Sequence, residues 1–69
     1  MKPPILLTEV IENAQEYGSE IHIAKDGNLF YAYVLGRGYT ESRWMSVPQL
    51  EDVIRNSGFT GTIKVEADK

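Results

Sequence analysis

The chain contains no cysteine, one histidine, one tryptophan and no apolar run approaching the length of a membrane span. Each shortage removes a class of chemistry. Without cysteine there are no disulfides, no thiol nucleophile and no thiolate metal site, and a reducing compartment, the cytoplasm, is the natural expectation. A single histidine rules out histidine-rich metal centres. An apolar stretch of roughly eighteen residues would be needed to cross a bilayer, so no membrane association is expected. The opening "MKPPILLTEV" is too short and too soon acidic for a signal peptide. With Met1 at the start and no tag, the sequence reads as a complete small gene product.

Basic charge is also scarce. Seven lysines and arginines stand against ten aspartates and glutamates, a formal net charge of −3. Duplex nucleic-acid binders need a basic patch to displace counterions from phosphates. The overall balance therefore disfavours a nucleic-acid partner. What remains is ordinary for a folded domain, with 42% hydrophobic and 25% charged residues. Sixty-nine residues make one domain, 1–69. A core this small leaves a stability margin of only a few kcal/mol, on the order of 3–5.

The periodicity is legible along the chain. Leu7, Val10, Ile11, Ala14 and Tyr17 recur at helical spacing, and Gly18 follows where a left-handed cap belongs. A helix is expected from about residue 5 to 17. In "EIHIAKDGNLFYAYVL" two β-rich runs flank Asp26-Gly27, a two-residue hairpin signal. With that turn Ile23 faces Phe30, Ile21 faces Ala32 and His22 faces Tyr31. After "GRG", the run "RWMSV" reads as a third strand. In "SVPQLEDVIRNSGF" the punctuation is helical: Ser46 and Gln49 form a capping box, and Pro48 sits in the first turn. Glu51 and Asp52 lie early and Arg55 late, as the macrodipole favours. Leu50, Val53 and Ile54 form the apolar stripe, and Gly58-Phe59 suits a Schellman ending. Finally "GTIKVEA" alternates as a half-buried strand, with Ile63, Val65 and Ala67 on one side.

The fold class is therefore α+β, a small two-layer sandwich in the order α-β-β-β-α-β. Its four-stranded sheet is mainly antiparallel, with two helices on one face. A right-handed crossover sets the last strand parallel to a neighbour, the first strand being the best candidate. The opposite face of such a sheet is left without a helix. Leu29, Tyr31, Tyr33 and Leu35 alternate with inward Phe30, Ala32 and Val34, and His22, Thr62 and Lys64 fall on the same outer side. Inward Met45 and Val47 would turn Trp44 outward to join the tyrosines. The alternative points Trp44 inward, with Arg43 and Met45 out. Outward is favoured, because an indole inside so small a core would need a partner for its N–H.

Tyr31, Tyr33, Tyr39 and Trp44, with Arg37, Arg43 and His22, have the composition of a binding hot spot. Aromatics paired across strands to support a half-exposed sheet account for the same residues without any partner. Other chemistry is not expected. A lone strand histidine is ordinarily a surface or cross-strand residue. Glu9, Glu12 and Glu16 make a solvated helix face rather than a cation site. "GRGYTES" leads into a strand and carries Glu41 at the third glycine position of a phosphate loop. No enzyme activity, cofactor or metal is expected.

The first functional expectation is a non-catalytic interaction protein that docks on a larger macromolecule, most simply a protein. In size and element order the chain resembles phage-encoded inhibitors of host machinery, the anti-CRISPR proteins with a helix, a three-stranded antiparallel sheet and another helix. That resemblance implies an acidic surface imitating phosphate, with Glu9, Glu12, Glu16, Glu20 and Asp26 as candidates. The alternative is a single-stranded nucleic-acid or RNA-binding module that stacks bases on Tyr31, Tyr33 and Trp44. The order α-β-β-β-α over about residues 5 to 57 also looks like the double-stranded RNA-binding domain. However, "SVPQLEDV" stands where that family carries lysines at the start of its last helix. Homodimerisation through the bare face or an unpaired edge is the third possibility.

Overall fold

The structure, a computed structural model, describes residues 3–43 and 46–66. The elements follow in the expected order: α1 (Leu7–Tyr17), β1 (Ile21–Asp26), β2 (Leu29–Val34), β3 (Gly38–Ser42), α2 (Val47–Asn56) and β4 (Ile63–Val65). The strands form one sheet in the order β3-β2-β1-β4. β2 pairs antiparallel with β1 and with β3, whereas β4 lies parallel to β1. The crossover through α2 thus returns the chain beside the first strand, as anticipated.

Both helices lie against one face. Val10, Ile11 and Ala14 from α1 and Leu50 and Ile54 from α2 meet Ile21, Ile23, Ala32 and Val34 from the sheet, and Phe59 completes the cluster. These are one alternation class of β1 and β2, so the period of two decides what is buried. Phe30 and Ile63 pack on the cluster from positions of partial burial. The expected stripes are narrower than read. Tyr17 is 51% exposed and Val53 40% exposed, because each sits at the margin of its helix's contact with so small a sheet.

Three boundaries differ from expectation, each for a local reason. α1 begins at Leu7 rather than near residue 5, because Leu6 stays extended at the N-cap and the Ile5 N–H donates to the Tyr39 carbonyl at 2.7 Å. The Ile5 side chain then lies on Gly38, where a Cβ would come within 3.1 Å of the Ile5 Cδ1. Next, the first hairpin turns at Gly27-Asn28, not at Asp26-Gly27. Ile23 pairs with Ala32, and His22 with Tyr33. Gly27 takes φ 61 at the first central position, the requirement of a II′ turn, so Asp26 can remain extended and pair with Leu29. The register moves by two residues, which leaves every side chain on its expected face.

The third difference is larger. β3 is "GYTES"; of the expected "RWMSV", Arg43 lies beyond the strand, Ser46 caps α2 and Val47 opens it, while Trp44 and Met45 lie outside the described residues. The β2–β3 connection is only Leu35–Arg37, closed by Arg37 N–H to the Val34 carbonyl at 2.9 Å, and Gly38 already pairs with Val34. With the strand starting so early, Val47 becomes the first residue of α2 instead of a strand residue.

α2 keeps its expected start. The Ser46 N–H donates to the Gln49 side chain at 2.8 Å, and the Ser46 hydroxyl accepts from the Gln49 N–H at 3.5 Å. Glu51 and Asp52 fall beyond the first turn, so no acidic residue meets the helix N-terminus there. Arg55 does occupy the last turn and donates to the carbonyls of Phe59 and Gly61 at 3.3 and 2.7 Å. Gly58 (φ 97) reverses the chain and the ring of Phe59 enters the core at 4% exposure.

Candidate functional site

The face opposite the helices carries the rings. Ladder partners in an antiparallel sheet share a face. Tyr33 lies opposite both His22 and Tyr39, and Tyr31 opposite both Ala24 and Glu41. On the parallel side Lys64 is level with His22. This alternation brings His22, Tyr31, Tyr33 and Tyr39 together, four of the residues singled out from sequence. Together with Ala24 and Leu35, the three tyrosines line a shallow depression of about 480 Å³. Leu35, the first residue after β2, is 71% exposed. A large aliphatic so open to water beside three rings is a conspicuous apolar feature among the described residues of this face.

The rings pack on each other, which is why each is half-buried rather than fully exposed. His22 and Tyr33 stack with centroids 5.1 Å apart and planes 15° from parallel. Tyr31 and Tyr39 are tilted at 59° with centroids 5.9 Å apart. Both arrangements suit the ring quadrupoles. The cross-strand support anticipated as a partner-free account of these residues is therefore present.

Carboxylates surround the rings. The Tyr33 hydroxyl donates to Glu66 Oε1. The same oxygen lies 3.7 Å from His22 Nδ1, and Glu20 Oε2 lies 3.8 Å from His22 Nε2. The hydrogen bond to Glu66, together with partial burial and the carboxylate's charge, pushes the Tyr33 phenol up to about 12. Tyr31 is also held above its ordinary value. Partial burial is the first cause, the negative charges of Glu41 and Asp26 come next, and Arg43 pulls the other way. Losing a phenolic proton among carboxylates would place like charges side by side. The Tyr31 and Tyr33 phenols therefore stay neutral, hydrogen-bonding groups at physiological pH.

The other expected residues are distributed differently. Arg37 leaves the face for α1: its guanidinium lies 3.8 Å from the centroid of the Tyr17 ring, and its carbonyl accepts from Asn13 Nδ2 at 3.3 Å. The short β2–β3 turn carries it to that end of the helix. Arg43 follows β3 and acts on Tyr31. Trp44 and Met45 lie outside the described residues. The acidic set divides. Glu9, Glu12 and Glu16 are exposed on α1, in the helix layer, whereas Glu20 and Asp26 border the rings. Glu41 and Glu66 were not singled out from sequence as partners of the rings. Correct placement of β3 would have found Glu41, but the Glu66 contact depends on which strand becomes the neighbour of β1.

Among the described residues, no group of three or more histidines and carboxylates converges to hold a metal ion. No described helix is long and apolar enough to cross a membrane. Comparison with known protein families, with curated proteins and with solved structures finds no match.

Proposed function

We propose that this is a small non-catalytic interaction protein that binds a larger protein through the open face of its sheet. The observation carrying this reading is the ring cluster of Tyr31, Tyr33 and Tyr39 on the face without helices, continuous with the exposed Leu35. Tyrosines offer large contact area at low entropic cost, because two torsions fix each ring, and their hydroxyls can pair with a partner. Here much of that cost is already met by ring packing and by the Tyr33–Glu66 hydrogen bond. The proposal extends to a cytoplasmic setting, which suits a cysteine-free chain. It extends also to a role as adaptor or inhibitor, acting by occupying a surface of a larger assembly.

His22 gives no support to catalysis, since its ring contacts are Tyr33, Glu20 and Glu66 and none is an activated nucleophile. The carboxylates around the rings weigh against a nucleic-acid strand, whose phosphates they would repel. The test is affinity capture with immobilised wild-type protein and a Tyr31→Ser/Tyr39→Ser variant whose fold is verified by circular dichroism. A partner captured by the wild type should be lost by the variant. Equal capture by both would remove the tyrosine face from the interaction.

A further inference from the structure

The charge arranged around the rings identifies the chemistry of the occupant. Four carboxylates are tied to the face by separate observations. Glu66 accepts from Tyr33, Glu20 stands beside His22, Glu41 is the ladder partner of Tyr31, and Asp26 acts on Tyr31 from the hairpin end. Among the described residues, the cations on the same face are Lys64 and Arg43. Of these carboxylates, Glu41 belongs to the edge strand β3, Asp26 to the hairpin end of β1, Glu66 follows β4 and Glu20 precedes β1. A ligand crossing the tyrosines therefore meets carboxylates along the β3 edge, at the hairpin end and beside β4.

We infer that the face takes an arginine-rich segment of a partner protein, with guanidinium groups over the tyrosine rings and paired to the surrounding carboxylates. Arginine satisfies both halves of this surface. Its plane stacks on aromatic faces, and its fork of donors matches a carboxylate. The chain already makes the first of these contacts where Arg37 lies on Tyr17. An acidic or phosphate-bearing ligand would place like charges together on three sides.

This inference rests on the docking reading of the same face. The probe is a short synthetic peptide of alternating arginine and glycine, titrated into isotope-labelled wild-type protein and followed by NMR. A glutamate–glycine peptide, a neutral tyrosine–serine peptide and an oligothymidylate are the comparators. The arginine peptide should shift resonances of Tyr31, Tyr33 and Tyr39, and should bind more tightly than any comparator. Removing two surrounding charges in Asp26→Asn/Glu41→Gln should raise its Kd roughly 2- to 30-fold, as expected for two exposed pairs. If that variant folds poorly, raising salt about tenfold with the wild type should weaken binding in the same way, since exposed pairs are screened. Tighter binding of the neutral peptide or the oligothymidylate at the tyrosines would overturn the inference about charge while leaving the docking face intact. Shifts confined to Glu9, Glu12 and Glu16 of α1 would also overturn it, as would no binding by the arginine peptide.

Discussion

Replacing Ile23 and Tyr31 in turn puts the two sides of the sheet in direct opposition. Ile23 is fully buried and packs in the helix-side cluster. Truncation to alanine removes its transfer energy and leaves a cavity, at a cost of about 2–5 kcal/mol. A domain of this size rarely holds more than about 3–5 kcal/mol, so Ile23→Ala should leave much of the chain unfolded near body temperature. Tyr31 contributes a tilted contact with Tyr39 and a cross-strand contact with Ala24 and Glu41. The ring pair is worth about 0.5–1.5 kcal/mol and a cross-strand pair about 0.2–1 kcal/mol. Tyr31→Ser should therefore cost about 0.7–2.5 kcal/mol. Urea denaturation followed by far-ultraviolet circular dichroism measures both on one scale. A loss of about 3 kcal/mol or more for Tyr31→Ser, the cost of truncating a buried aromatic, would mean that the rings belong to the core, and the open-face argument would fall.

Other expectations concern single contacts. The Tyr33 phenol is raised from 10.0 to about 12, so its stabilising contribution is fully present below 10 and is lost as pH rises through that window. Ultraviolet titration of tyrosinate should show a late-ionising tyrosine in the wild type, and Glu66→Gln should bring its midpoint back toward 10; an unchanged midpoint would refute the assigned cause. Ser46→Ala removes one half of the α2 capping box and should cost about 0.5–1 kcal/mol by urea denaturation, near the low end for caps because its 3.5 Å bond is long. No change would mean that the cap is not formed. Gly61→Ala sets a Cβ within 2.6 Å of the Phe59 ring; displacing that buried ring should cost about 1–3 kcal/mol, and a neutral result would show that the ring has room to move.

The face assignments were legible because they depend on parity alone. Alternating Ile21 and Ile23 with His22, and Ala32 and Val34 with Tyr31 and Tyr33, leaves one consistent way to bury the aliphatics. A two-residue error in register does not disturb that reading. The position of β3 was not legible. "GRGYTES" carries three glycine-or-turn signals that mask the strand formers Tyr39 and Thr40, and only the pairing of Gly38 with Val34 shows how quickly the chain returns. That error displaced the residues around the rings as well. It kept Glu41 out of view and sent Arg37 to the wrong side, since a turn residue's direction follows from loop closure rather than from alternation. The Glu66–Tyr33–His22 cluster is long-range, and it forms because β4 docks parallel to β1.

The claim on which the docking proposals rest is that the tyrosine face is open to solvent while the aliphatic face is covered. NMR relaxation by a soluble gadolinium chelate reads this residue by residue. Strong enhancement is expected for the Leu35 methyls and for the ring protons of Tyr31 and Tyr39, with little at the methyls of Ile21, Ile23, Ala32 and Val34. Ring protons shielded as fully as those methyls would contradict the account.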